Sequence, residues 1–288
     1  MKAIIPVAGH GTRLEPHTLS VQKCLLPVAG KPVLAHIIEK LSNVGIQNIT
    51  LIIGHLGDQV IEFCKTYKNI SFNFVKQTHR LGLGHAIFQG LEESSEPILI
   101  LLGDAILEFD YNKLIKSNNS MIGVKPVPDP HRFGIVETLG DKIIKFYEKP
   151  DDPPTNMAIT GVYLIKSEIK LYQAINYLIK NNLRSKNEYQ LTDALEYMLS
   201  KSHLFKAFEI DDCLDCGITE TILSTNKILL NRYGDNIIDK SAKIINSTLK
   251  NCTISKDCYI ENSSLDNVII LNGISIINKS LVDRIISK

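Results

Sequence analysis

The residues best suited to chemistry lie in a few short runs. Val7-Ala8-Gly9-His10-Gly11-Thr12-Arg13 follows an apolar stretch, and Lys23 stands ten positions beyond Arg13. Small residues let backbone N–H groups approach anionic oxygens, and a guanidinium can fork onto phosphate. The Walker pattern GxxxxGK[ST] is absent. The dinucleotide fingerprint GxGxxG fails because Leu14 stands where its third Gly belongs. Taken alone, the fragment fits a tight strand-to-helix turn as well as a phosphate cradle. Gln77-Thr78-His79-Arg80-Leu81-Gly82-Leu83-Gly84-His85-Ala86 combines an amide that both donates and accepts with glycines that admit a flat ligand. That suits the edge of a pyrimidine, although Gln77 also reads as an exposed strand end. Asp104 closes Leu101-Leu102-Gly103-Asp104, and Asp215 sits in Leu214-Asp215-Cys216-Gly217. One or two carboxylates plus substrate phosphates are what Mg²⁺ prefers. A lone Asp after a strand also serves as a helix N-cap.

These residues need elements to hold them. Ala3–Val7, Ile49–Ile53, Ser71–Val75 and Ile98–Leu102 read as strands, and Val33–Val44, Gln59–Tyr67 and Gly84–Leu91 as helices between them. Such alternation predicts a mostly parallel sheet with helices on both faces. Ligands then bind beyond the carboxyl ends of the strands, where the loops after Val7 and Leu102 lie. Gly134–Glu137 and Ile143–Tyr147 predict a hairpin. Ala158–Ile165 predicts a further strand, and Ile169–Lys180 and Thr192–Leu199 predict helices. From Ile244 the pattern changes to a 16-residue repeat. Ile244, Ile260 and Ile276 align, as do Asn246, Asn262 and Asn278, then Leu249, Leu265 and Leu281, then Ile254, Ile270 and Ile286. Three apolar anchors per period predict a three-sided β-solenoid rather than an ordinary β-meander. So short a solenoid is expected to pack on the preceding domain or on another subunit.

Composition removes several classes. The 288 residues are 44% hydrophobic, and 32 Lys+Arg nearly cancel 31 Asp+Glu. A nucleic-acid polymer or membrane surface as partner has no electrostatic support. No run approaches a membrane span, and the opening residues do not read as a signal peptide. The six cysteines are too sparse for a disulfide framework, so a reduced, cytoplasmic protein is expected. Cys213 and Cys216 form a CxxC spacing without a partner pair, which reads as coincidence.

The longer run AGHGTRLEPHTLSVQKCLLPVAGKP resembles the signature of the sugar-1-phosphate nucleotidylyltransferases, which include glucose-1-phosphate thymidylyltransferases and uridylyltransferases. The resemblance covers roughly residues 1–230. It implies triphosphate binding by Ala8, Gly9, Gly11, Thr12 and Arg13, with Lys23 neutralising charge at the reacting phosphates. It implies base contacts from Gln77 and Gly82, and Mg²⁺ held by Asp104 and Asp215. Glu148-Lys149-Pro150 matches the family's EKP motif, with the carboxylate on sugar hydroxyls and the ammonium on the phosphate monoester. Gly134, Gly161 and Glu188 occupy further sugar-contact positions. Outside their motifs, Lys149 and Glu188 would read as solvated surface charges. This sequence departs from the family pattern at Gln22, where Pro is usual, and at Cys213, where Trp is usual.

The resulting expectation is an α/β, Rossmann-like nucleotidyltransferase domain over 1–235 with a mostly parallel mixed sheet. A short, left-handed β-helix-like solenoid follows over 236–288. The expected reaction joins a pyrimidine nucleoside triphosphate (dTTP or UTP) to a sugar-1-phosphate, glucose-1-phosphate by default, with Arg13, Lys23 and Asp104 catalytic. A homo-oligomer is expected. The rival expectation is a regulatory or scaffold subunit that keeps the fold without catalysis; the presence of Arg13, Lys23, Asp104, Lys149 and Asp215 argues against it.

Overall fold

A computed structural model describes residues 1–287; Lys288, the last position of the expected solenoid domain, lies outside them. The body is a nine-stranded mixed sheet. Its order is Ser71–Lys76, Asn48–Ile53, Lys2–Pro6, Ile98–Leu101, Met157–Ile165, Ser120–Pro126, Phe205–Glu209, Lys142–Glu148 and Gly134–Leu139. The first four strands are mutually parallel. Ile4, Ile5 and Ile98–Ile100 are fully buried. A near-continuous apolar run of this kind belongs to a parallel strand covered on both faces. Beyond Ile98–Leu101 the pairing turns antiparallel, except between Ser120–Pro126 and Phe205–Glu209. Parallel character is therefore confined largely to the N-terminal half, where strands and helices alternate.

Asp104 does not cap a helix. It leads into a strand, Ala105–Glu108, which pairs antiparallel with Asp212–Asp215 in a separate two-stranded ribbon. This ribbon and the helix Thr219–Tyr233 had no counterpart in the periodicity.

The repeat forms the expected coils. Lys243–Ile245, Tyr259–Glu261 and Ser275–Ile277 stack in parallel, each 16 residues from the next, and so do Thr248–Lys250, Ser264–Ile270 and Ser280–Ile286. Ile260, Leu265 and Ile270 fill the inside. The corners carry positive φ at Asn246, Asn262 and Asn278, and again at Asn251, Asn267 and Asp283. Asn and Asp are the non-glycine residues that tolerate this backbone best, so the repeat's polar columns are its bends.

The solenoid docks on the larger domain. Ile269, Leu271 and Ile285 join the same apolar cluster as Val28, Ala29 and Leu230. Asn226, fully buried on the connecting helix, ties three segments together. Its Oδ1 accepts from the Ala29 N–H at 2.9 Å and the Thr253 hydroxyl at 2.6 Å, while its Nδ2 donates to the Asn251 carbonyl at 3.3 Å. Asn226→Leu leaves these groups buried without a partner, at about 1–3 kcal/mol for each one orphaned. The expected result is a clear fall in the urea midpoint; an unchanged midpoint would show that the joint contributes nothing.

Candidate functional site

A cavity of about 320 Å³ opens beyond the carboxyl ends of Lys2–Pro6 and Ile98–Leu101. Ala8, Gly9 and Lys23 form one wall, Gln77, Arg80 and Gly82 another, and Asp104 and Glu188 complete it. Five segments distant in sequence thus converge.

The glycine-rich loop is held by its neighbours rather than by a helix. Gly11 has φ +68°, and a Cβ there would come within 3.1 Å of the Lys23 Cβ and 2.9 Å of Thr18 Cγ2. Glycine is what allows the loop to wrap over the Lys23 side chain. Nothing lies within 4 Å of a Cβ at Gly9, so the space beside its backbone is open. Gln22, the departure from Pro, is buried and triply bonded. Its Nε2 donates to the Val7 carbonyl at 2.6 Å, its Oε1 accepts from the Cys24 N–H at 2.6 Å, and its own N–H donates to Gln59 Oε1 at 2.9 Å. These bonds pin the turn bearing Lys23 to the end of the first strand.

Lys23 Nζ donates to Asp104 Oδ2 at 2.7 Å, with the ammonium side chain 12% exposed and the carboxylate 40%. Asp215 is brought beside Asp104 by the ribbon: Asp215 pairs with Ala105, and the Cys216 N–H donates to the Asp104 carbonyl at 2.9 Å. A Cβ at Gly217 would meet Asp215 Oδ1 at 3.0 Å and an Arg13 terminal nitrogen at 3.5 Å. Arg13 therefore stands on the Asp215 side. Arg13, Gly11 and Thr12 do not line the cavity itself.

The loop that carries Gln77 and Gly82 is equally constrained. Gly82 has φ +110°, and a Cβ would strike the Tyr189 carbonyl oxygen at 2.6 Å and Glu188 Cβ at 2.8 Å. The Tyr189 N–H donates to the Leu81 carbonyl at 2.7 Å, and the Gly84 N–H to the Tyr189 carbonyl at 2.8 Å. Glu188 is thereby fixed against this loop. Gly82→Ala carries backbone strain of about 1–3 kcal/mol besides the clash. It is expected to displace the loop and raise the KM for nucleoside triphosphate at least ~10-fold. An unaltered KM would remove Gly82 from the binding surface.

Glu148, Lys149 and Gly134 form a second cluster. Glu148 pairs with Gly134 across the hairpin, and a Cβ at Gly134 would sit 3.3 Å from Glu148 Oε2. Lys149 has φ +42°, its N–H donates to the Phe133 carbonyl at 3.1 Å, and its Nζ lies 3.2 Å from Glu148 Oε1. Gly161 connects this side to the cavity: its carbonyl accepts from the N–H of Leu102, a cavity residue, at 2.9 Å.

Sequence reasoning assigned no role to Arg80 or Asp193. Arg80 lines the cavity and reaches His10 of the glycine-rich loop, whose ring packs on His55 at 4.2 Å between centroids. Desolvation, then the charges of Arg80 and His55, hold the His10 imidazole below its usual value. A neutral His10 is the form that can accept from Arg80. Each lies in a motif visible in the sequence; the contact between loops 70 residues apart was not visible. Burial pushes the Asp193 carboxyl upward against a Ser185 hydrogen bond, with the charge of Glu148 adding to the rise. The CxxC pair has little thiolate character: burial pushes Cys213 up to about 11 and Cys216 higher, and all six cysteines are free.

An open α/β sheet thus brings a glycine-rich loop after its first strand, with Lys23, against Asp104 after its fourth parallel strand, at the end of the sheet where such folds bind ligands. A model of the nucleotidyl transferase family matches residues 2–232, and the chain belongs to that family. It is 33% identical over 243 residues to the bifunctional protein GlmU of Methanocaldococcus jannaschii, covering 83% of this chain and 57% of that protein; the chain thus spans little more than half of that relative. It is 32% identical over 246 residues to a UTP–glucose-1-phosphate uridylyltransferase of Staphylococcus epidermidis, covering 71% of this chain and 83% of the relative. The solved UDP-glucose pyrophosphorylase from Acinetobacter baumanii shares the fold, with TM-score 0.67 at 23% identity over 81% of this chain and 94% of that one. Among the described residues, no helix is long and apolar enough to cross a membrane.

Proposed function

We propose that this protein transfers a nucleotidyl group from a pyrimidine nucleoside triphosphate to a sugar-1-phosphate and releases pyrophosphate. The observation that carries the reading is the Lys23–Asp104 pair at 2.7 Å in a cavity walled by Gly9 on one side and Gln77 and Gly82 on the other. UTP is favoured over dTTP by the name of the staphylococcal relative, and glucose-1-phosphate is favoured on the same ground.

A phosphate monoester loses its second proton near ~6, so the attacking oxygen is already anionic at neutral pH. No general base is required. The task is to bring anions together and to stabilise charge on the transferring group. Lys23 and Arg80 supply positive charge in the cavity, Gly9 an open backbone, and Arg13 a guanidinium at the Asp215 side. Glu148, Lys149, Gly134, Gly161 and Glu188 are the groups proposed to hold the sugar phosphate, and Gln77 the base edge.

Asp104 and Asp215 fit Mg²⁺. Both are hard oxygen donors, Asp215 at the end of one ribbon strand and Asp104 in the turn that leads into the other. An ion that retains waters and takes substrate phosphates needs only this much protein. Bound there, it would supply charge neutralisation on the phosphates.

The deciding experiment measures pyrophosphate release with Mg²⁺, UTP, dTTP, CTP and ATP against a panel of sugar-1-phosphates. The expected result is turnover with UTP and glucose-1-phosphate above other pairs. Silence with every combination would overturn the reading and favour a non-catalytic subunit. A preference for dTTP would move the base assignment only.

A further inference from the structure

The ribbon that brings Asp104 and Asp215 together is four residue pairs long, and its far end carries two like charges. Glu108 stands directly opposite Asp212 there, whereas the near end pairs Asp215 with Ala105, the neighbour of Asp104. Carboxylates opposed across a ladder drive its strands apart. Ile106, Leu107 and Leu214 are buried and hold the middle of the ribbon. Its far end depends on cations.

Three elements supply them. Lys40 of the helix Val33–Asn43 donates to Glu108 Oε2 at 2.5 Å, and Lys125 of the strand Ser120–Pro126 lies 3.6 Å from Asp212 Oδ1. Each lysine holds one strand of the ribbon. Arg232, in the last turn of the helix Thr219–Tyr233, holds both. One terminal nitrogen donates to Glu108 Oε1 and the other to Asp212 Oδ2, each at 3.3 Å. A guanidinium is a rigid fork that stays charged, so it can bridge two carboxylates. Every oxygen of the opposed pair then faces a cation.

The same helix grips the near end. The Thr225 hydroxyl donates to the Asp215 carbonyl at 2.9 Å. Thr225 and Arg232 are seven positions apart, so they share a helix face and are separated by a rise of about 10.5 Å. Asp215 and Asp212 are three strand steps apart, about 10 Å. The lengths match, and the helix fixes the strand at both ends.

We infer that Arg232 is a positioning residue: by bridging Glu108 and Asp212 it locks the ribbon and so sets the separation of Asp104 and Asp215 at its other end. The inference rests on the reading of those two carboxylates as the Mg²⁺ site. Arg232 does not line the cavity and acts through the ribbon alone. The side chains of Glu108, Asp212 and Arg232 are 29%, 37% and 41% exposed, so losing the guanidinium strands no buried charge and leaves the fold intact.

The test compares Arg232→Met with Arg232→Met/Glu108→Gln in the full chain. Mn²⁺ binding with UTP present is read by electron paramagnetic resonance. Hydrogen exchange at the Cys216 N–H, which bonds the Asp104 carbonyl, reads the ribbon without metal. Arg232→Met should weaken Mn²⁺ binding at least ~5-fold and speed that exchange at least ~10-fold, with melting nearly unmoved. Adding Glu108→Gln removes the opposed charge and should restore both. The signs separate positioning from a simple field effect. By Coulomb attraction alone, losing a cation strengthens a metal site and losing a carboxylate weakens it; positioning requires the reverse at each step. Mn²⁺ affinity that rises in Arg232→Met, or falls further with Glu108→Gln, would overturn the inference, and so would unchanged exchange. If Asp215→Asn binds Mn²⁺ as the unaltered protein does, the Mg²⁺ reading fails instead, and the exchange measurement still decides whether Arg232 locks the ribbon.

Discussion

Lys23→Ala should lower kcat by about 10²–10³-fold while leaving the fold intact. That range corresponds to about 2.7–4 kcal/mol, the loss typical of one preorganised group aimed at transition-state charge. Lys23 qualifies as such a group because the structure leaves it little freedom. Its side chain is 12% exposed, its stem lies under Gly11, and its ammonium is held 2.7 Å from Asp104 Oδ2. The turn beneath it is fixed by the three hydrogen bonds of Gln22. An ammonium already in place pays no reorganisation cost when charge moves during the reaction.

Stability should change little. Alanine keeps the Cβ that packs under Gly11, and the Asp104 carboxylate, at 40% exposure, can recover water when its partner is removed. The measurement is kcat for pyrophosphate release alongside the urea midpoint. A large drop in kcat with an unmoved midpoint supports the electrostatic role. Near-normal turnover would sink it. Lys23→Arg tests geometry: a planar guanidinium does not replace a compact ammonium in a slot this closed, so it should rescue little of the loss.

What was legible in the sequence depended on how far apart the interacting residues lie. The glycine-rich loop and Lys23 fall within sixteen positions, and each solenoid coil is one sixteen-residue period. Both could be read because their contacts are nearly local. The parallel half of the sheet was legible for the same reason, as strand and helix alternate there at short range. The ribbon joining Ala105–Glu108 to Asp212–Asp215 spans more than a hundred residues, and no local pattern announces it. The helix Thr219–Tyr233 was missed because its buried face includes Thr225 and Asn226 among the apolar residues. Those polar side chains blur the periodicity, and they are buried because they bond the solenoid and the ribbon. The strand Ser120–Pro126 was missed for a related reason. It mixes Ile122 and Val124 with Gly123 and Lys125, and Gly123 is required where a Cβ would strike Val162 at 2.3 Å. Arg80 was present in a quoted motif, yet its place against His10 depends on two loops folding onto each other.

Asp104→Asn should abolish the Mg²⁺ dependence of turnover and lower kcat at least ~10²-fold, and Asp215→Asn should do the same through the other half of the pair. The substitution preserves size and removes charge. In Asp104→Asn an amide replaces the oxygen that accepts from Lys23, so the variant perturbs both the proposed Mg²⁺ site and the Lys23 partnership. Asp215 separates these effects. It pairs with Ala105 and lies near Arg13 and Gly217, and its side chain makes no salt bridge to Lys23. Equal losses from the two variants would therefore assign the common part to Mg²⁺. Direct Mn²⁺ binding, followed by electron paramagnetic resonance with UTP present, gives a readout independent of turnover. Both variants should weaken it, whereas Lys23→Ala should leave it intact or strengthen it by freeing Asp104. Retained Mg²⁺-dependent activity in Asp104→Asn would exclude that carboxylate as a ligand. If Mn²⁺ binding survives Asp215→Asn while activity falls, Asp215 acts instead by orienting Arg13 toward the phosphates, and the ribbon that brings the two aspartates together serves the guanidinium rather than the metal.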